Sequence, residues 1–245
     1  MKGKYSYIGV ALVILVFGII FVPKIVDRIQ KNDVIRNDRM SASAEVQANK
    51  GSLSYIEVNG VPKKVPAFAF VNQDSLYITN DDYKGKVYLV EFFFTRCPSI
   101  CPIMNANMVE IQNEFKGNDN LGFASFTIDP EHDTPLMLKK YAEKYKIDNP
   151  NWNFMTGDKE RLYELSNTGF NIFAKENKNV AGGFEHSGFF ALIDKEGFIR
   201  SRKDKYANPI VYYRGTVTRE QGENRDDEPE QISILIEDIK KLLKE

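Results

Sequence analysis

The sequence predicts one α/β domain, a sandwich around a mixed central sheet, standing behind an apolar N-terminal segment. Three observations carry this. Between residues 85 and 170, strand-like apolar runs alternate with helical spacings, the order that builds a sheet covered by helices. A hairpin pattern and an amphipathic helix then close the chain. Finally, 245 residues suffice for one domain of ordinary size plus appendages, and not for two full domains.

Composition narrows the function classes. A hydrophobic share of 42% and an aromatic share of 12% describe a chain with a real core, not a disordered one. The net charge of −1, with no basic tract, gives no footprint for nucleic acid. Two cysteines, Cys97 and Cys101, cannot form a disulfide framework, so the pair needs another explanation.

The elements follow in order. "YSYIGVALVILVFGIIFV", Tyr5 to Val22, is uncharged, and about 20 apolar residues span a bilayer as a helix. It has no polar face, no Ala-x-Ala-like site after it and no cysteine near its end, so residues 5–22 read as an uncleaved transmembrane anchor behind a short N-terminus, residues 1–4. Lysines flank it on both sides, which leaves its orientation open. The polar residues 23–50 read as a linker, and the domain as residues 51–245. "VPAFAFVNQDSLYI" (Val65–Ile78) alternates around an Asn-Gln-Asp turn, the pattern of a hairpin. "GKVYLVEFFF" (Gly85–Phe94) is apolar on both faces and reads as a central strand. Ile103, Met104, Met108, Ile111 and Phe115 have helical spacing. "LGFASFTID" (Leu121–Asp129) is the next strand. Thr134 and Pro135 cap and open a further helix. "NFMTG" is a short strand, and "DKERLYELSNTG" a helix with Gly169 near its end. "FFALIDKEGFIRSR" (Phe189–Arg202) is a strand pair about a Lys-Glu-Gly turn. Residues 206–230 form an insertion whose acidic part, "REQGENRDDEPEQ", reads as a solvated loop. The last helix places Ile232, Leu235, Ile236, Ile239, Leu242 and Leu243 on one side. No internal repeat is visible.

The thiols sit in "EFFFTRCPSICPIM", at the corner between strand and helix. Proline is harmless at the first position of a helix, so Pro102 predicts a helix start there, with Cys101 at the N-cap and Cys97 in the preceding loop. Unpaired N–H groups at that end favour thiolate. A disulfide, a redox couple and a metal site all remain open, since two thiolates suit a soft ion such as Cu(I), and Cu(II) or zinc needs further ligands such as imidazole. His132, in "DPEHDTP", reads as an ordinary surface histidine. His186, in "GGFEHSGFFALID", follows two glycines that allow the chain to carry its ring towards Cys97. The single cysteine pair does not fit a zinc finger.

In this order and spacing, "FFFTRCPSICPIM", "TIDPEHDTP" and "HSGFFALID" resemble the Sco/SenC family of membrane-anchored, thioredoxin-like copper proteins. "VPAFAFVNQD" and "DYKGKVYLVEFFF" resemble its domain entrance and the strand before its cysteines. The resemblance implies a thioredoxin-like sandwich with extra N-terminal strands and a role in cytochrome c oxidase assembly. That role is delivering copper, as Cu(I) or Cu(II), to the oxidase subunit carrying CuA, or reducing its cysteines, after a donor protein has supplied the metal. It implies Cys97, Cys101 and His186 as metal ligands, with Asp129 and Asp133 supporting them. It also implies a single pass through a bacterial inner membrane, with the domain on the periplasmic side. Two departures stand out: His132 occupies a position that is often Arg in the family, and the 206–230 insertion is long. A binding and delivery protein is the leading expectation. A membrane-anchored thiol–disulfide oxidoreductase needing no metal is the alternative, with Cys97 and Cys101 as its redox pair. A peroxidase, prompted by Thr95 beside the cysteine, is a weaker third.

Overall fold

The computed structural model describes residues 14–18, 21, 23, 53–204 and 206–245. The expected transmembrane segment lies largely outside the described residues, and the linker almost wholly so. Residues 14–18, 21 and 23 are helical. Among the described residues no helix is long and apolar enough to cross a membrane.

Gly51–Glu245 forms one unit. Its strands are β1 (Ser54–Tyr55), β2 (Glu57–Val58), β3 (Val61–Pro62), β4 (Ala69–Asn72), β5 (Tyr77–Thr79), β6 (Val87–Phe93), β7 (Leu121–Thr127), β8 (Trp152–Thr156), β9 (Ala174–Glu176), β10 (Phe184–His186), β11 (Phe189–Ile193), β12 (Ile199–Ser201) and β13 (Tyr213–Arg214). The helices are α1 (Cys101–Glu114), α2 (Pro135–Lys144), α3 (Lys159–Glu164) and α4 (Ile232–Leu242). The main sheet runs β1-β12-β11-β6-β7-β8-β4-β5, with β13 added alongside β11. Strands β6, β7 and β8 are parallel, and β11 and β4 join them antiparallel. This is the mixed α/β sandwich that the sequence predicts.

The centre follows from the apolar runs. Every residue of β6, β7 and β8 is buried, as sheet covered on both faces requires. The expected hairpin forms as β4 and β5, pairing Phe70 with Ile78. Thr134 accepts a bond from the Met137 N–H and Pro135 opens α2. On α4 the predicted stripe is buried except for Leu243, which is half-buried, and Asp238 is buried with it, where it accepts bonds from Arg202 Nε at 2.6 Å and Tyr213 Oη at 2.8 Å.

Two details differ from expectation and two more carried no forecast. Helix α1 begins at Cys101, one residue early, with Ile100 at the N-cap and no side-chain cap bond; Pro102 still falls where no intrahelical donor is needed. The helix expected over residues 158–169 holds α-geometry only to Glu164, widens into a π-helical turn (Leu165–Phe170) with Gly169 near its end, and is closed by left-handed Asn171, φ +55°. In the 206–230 insertion the acidic stretch is largely exposed, as expected, while the residues before it pack on the domain: Tyr213 and Val217 are buried, β13 pairs with β11, and Asn107 Nδ2 donates to the Gly215 and Val217 carbonyls at 2.9 and 3.1 Å. Lastly, one turn recurs four times. At Asn72, Asp194, Asp204 and Asn224 the side-chain Oδ1 accepts from the N–H groups two and four residues on. The third residue after each is left-handed, Ser75, Gly197, Ala207 and Asp227 in turn. Asn and Asp are the residues that can fold back on their own backbone in this way.

Candidate metal centre

Cys97 lies in the loop leaving β6, and Cys101 in the first turn of α1. Both are free thiols and both are buried. The Cys101 N–H donates to Cys97 Sγ at 3.4 Å, so an orphan donor of the helix start does face a sulfur. Cys101 is seated from below by Asn105, whose Nδ2 donates to its carbonyl at 3.0 Å.

The stretch just ahead of Cys97 is tied down by two aspartates. Asp133 accepts from the Thr95 N–H at 3.0 Å, from the Thr95 hydroxyl, and from Thr127 Oγ1 at 2.5 Å. Asp129 pairs with Arg96 Nη2 at 2.7 Å. Neither carboxylate belongs to the cluster of sulfur and imidazole atoms.

His186 closes the arrangement. It ends β10, which among the described residues pairs with β9 alone, in a ribbon separate from the main sheet. Its Nε2 lies 3.2 Å from Cys101 Sγ, and its ring meets Phe94 edge-on at 5.9 Å. Its Nδ1 is buried with no hydrogen-bond partner among the described residues. The glycines noted in the sequence both take positive φ, and a Cβ on Gly182 would meet Pro98 Cδ at 2.9 Å. The bare backbone there is what lets the ribbon close over the cysteine loop. His132 is exposed and lies outside the cluster.

Electrostatics divide the two sulfurs. Cys97 is pushed down to about 3, first by its hydrogen bond with the Cys101 thiol, then by His186 and the backbone N–H groups of Cys101 and Ser99. Burial pushes the Cys101 thiol up, and neighbouring Cys97 adds to it. The pair thus favours one thiolate, on Cys97. Deeper in, burial pushes Glu91 up to about 7, although Ser125 Oγ donates to it at 2.7 Å.

One ligand atom from each of Cys97, Cys101 and His186 lies within 4.8 Å of the others, so the trio can hold a metal ion. Two sulfurs and an imidazole suit copper, and carboxylate-seeking ions such as Mg²⁺ and Ca²⁺ poorly. The sequence picked out these three residues and both aspartates. It missed the work of Thr95, Thr127 and Arg96, whose only signal was their place beside the cysteines and Asp129.

A mixed sheet with a dithiol at the strand-to-helix corner and a histidine facing it defines a thioredoxin-like protein carrying a soft-ligand centre. The chain belongs to the SCO1/SenC family, whose model matches residues 57–218. An SCO1 protein homolog of Bacillus subtilis is 35% identical over 136 residues, covering 55% of this chain and 70% of its own. A SCO1/SenC family lipoprotein from Bacillus anthracis superposes with a TM-score of 0.61 at 30% identity, over 74% of this chain and 95% of that one. BsSco, described through a disulfide switch and as a member of the Sco family of cytochrome c oxidase assembly proteins, superposes with a TM-score of 0.58 at 28% identity, over 74% and 93%.

Proposed function

We propose that this protein binds copper through Cys97, Cys101 and His186 and serves the assembly of the CuA site of cytochrome c oxidase. The observation that carries the reading is the convergence of two sulfurs and an imidazole nitrogen within 4.8 Å, on a chain of a family that includes oxidase assembly proteins. Copper is cargo here, taken from a donor and passed on, so the protein acts as a delivery factor more than a turnover enzyme. The thiols sit on α1 and the tied-down loop before it, and the imidazole on a separate ribbon, which supports stepwise exchange of ligands with a partner. Asp129 and Asp133 serve by fixing the cysteine loop. The apolar stretch at residues 5–22 would anchor the chain in a bacterial inner membrane, with the domain on the periplasmic side.

The test is titration of the full, reduced chain with Cu(I) and Cu(II) separately. One equivalent should bind tightly, and His186→Ala should weaken Cu(II) by roughly tenfold or more while sparing Cu(I), for which two thiolates suffice. A His186→Ala chain that binds both ions as the wild type does would remove imidazole from the site.

A second reading is favoured by the low-lying Cys97 thiolate: reduction of a disulfide in the target. Cys97 would attack one target sulfur and release the other as thiolate. Cys101, giving up its proton, would then attack Cys97 of the mixed disulfide. The products are the Cys97–Cys101 disulfide and a target dithiol, two electrons having moved. Both readings use the same sulfurs, and copper needs them reduced.

A further inference from the structure

His186 reaches Cys101 from a ribbon that a two-stranded pairing alone would hold only weakly. Among the described residues ribbon β9–β10 joins no larger sheet, so its position comes from other bonds. The most direct comes from Asn167, in the π-helical turn Leu165–Phe170. Its Nδ2 donates to the Ala174 carbonyl at 2.9 Å, and its Oδ1 accepts from the Ala174 N–H at 3.0 Å. Ala174 is the cross-strand partner of His186. The amide therefore takes the place of a neighbouring strand, meeting both backbone groups at the register of the histidine. Asn offers a donor and an acceptor side by side for this, which no hydroxyl or carboxylate of similar size does.

The π-turn itself is fixed at both ends. Ser166 Oγ donates to the Ile172 carbonyl at 2.5 Å, and the Tyr212 hydroxyl, from the insertion, donates to the Phe170 carbonyl. The widened turn sets Asn167 facing β9, and π-turns inside helices often mark functional positions. Beyond His186 the chain is held again, by the Gly215 N–H donating to the Gly188 carbonyl at 2.8 Å. Thus the histidine is held from Asn167 on one side and from Gly215 on the other, with the Lys159–Glu176 ion pair at 2.8 Å and the Phe94 ring as further ties of the ribbon.

We propose that Asn167 is a positioning residue for His186: by clamping Ala174 it sets the distance of the imidazole from the two sulfurs, and through it the affinity for Cu(II). The inference rests on the copper reading above. It leaves Cu(I) nearly unaffected, because two thiolates on α1 and its loop can hold that ion alone.

The experiment uses the full, reduced chain as wild type, Asn167→Ala, Asn167→Asp, His186→Ala and the double variant Asn167→Ala/His186→Ala. With Cu(II), Asn167→Ala should weaken binding roughly 10–100-fold, the range for residues that orient a metal ligand, and shift the sulfur-to-copper absorption band. Asn167→Asp, which keeps the acceptor and loses the donor, should fall between. In the double variant, loss of Asn167 should cost nothing beyond loss of His186, since both act through one ring. On metal-free protein, hydrogen exchange at the Ala174 amide should quicken in Asn167→Ala with the β6 and β7 amides unchanged. An unchanged Cu(II) band in Asn167→Ala, or additive losses in the double variant, would overturn the proposal. Failure of the wild type to bind copper would instead sink the copper reading, and the exchange data would still show whether the clamp holds the ribbon.

Discussion

Thr95 and Asp133 stand 38 residues apart and bond twice, once through the Thr95 backbone N–H and once through its hydroxyl. With Thr127 as third donor, Asp133 ties the end of β7 to the cysteine loop, two residues past the end of β6. Asp133→Ala would leave three donors short of a partner in the interior. The expected cost is about 3 kcal/mol, read as a drop in the urea midpoint. Asp133→Asn, which keeps one acceptor, should cost clearly less, and equal losses would show that the bonds contribute little.

Glu91 gives the protein a pH signature. Burial raises it from 4.5 to about 7, so the folded state holds a proton that the unfolded chain has released. Stability from this group is present in full below about 4.5 and is lost as pH rises to about 7, a total of about 3 kcal/mol. Glu91→Gln should lack this slope. Denaturant melts of both chains at pH 4.5, 6 and 7.5 should show the variant gaining on the wild type as pH rises. A constant difference would mean that Glu91 is not protonated in the fold.

Cys97, pushed down to about 3, should alkylate in metal-free protein at a rate nearly flat from pH 5 to 8. An ordinary thiol would speed up about tenfold per pH unit over that range. Cys101, pushed up by burial and by Cys97, should stay unmodified in the same samples, as peptide mass spectrometry would reveal. His186→Ala should restore part of the pH dependence, because the ring helps to hold the thiolate.

Gly182 and Gly183 both take positive φ, but only Gly182 approaches Pro98 and Phe94. Gly183→Ala should cost about 1 kcal/mol, the backbone strain alone. Gly182→Ala adds a steric clash with the cysteine loop and should also loosen Cu(II) binding. Calorimetry and a Cu(II) titration on each variant separate the two effects, and equal behaviour in both would remove the contact from the account of the site.

Asn107 holds the insertion by its bonds to Gly215 and Val217. Asn107→Ala should expose residues 218–230 to limited proteolysis several-fold faster, with β6 and β7 still protected.

Much of this molecule was legible in the sequence because its signals are local. The double-sided apolar run at Gly85–Phe94, the Thr134-Pro135 start and the stripe on α4 each follow from periodicity or capping over a few residues. Cys97, Cys101 and His186 stood out because the chain has so few thiols and imidazoles. What escaped depends on distant partners. Asp238 sits inside an apolar stripe only because Arg202 and Tyr213 come from elsewhere to meet it. The acidic stretch of the insertion read as solvated and is largely exposed, but the burial of Tyr213 and Val217 ahead of it had no local signal. The recurring turn stayed hidden because just one of its positions is chemically constrained, while the left-handed site is filled by Ser, Gly, Ala and Asp in turn.

The separate ribbon makes the integrity of the centre and the integrity of the fold two different quantities. Opening β9–β10 breaks a handful of bonds, whereas melting the domain must dissolve the parallel strands beneath the cysteines, and local opening of such a unit is cheaper than global unfolding. A temperature or denaturant curve followed through the aromatic core therefore reports on β6, β7 and β8 and is blind to the histidine. Two variants with the same melting point can keep or lose the imidazole arm, so thermal screening alone cannot rank changes at this site.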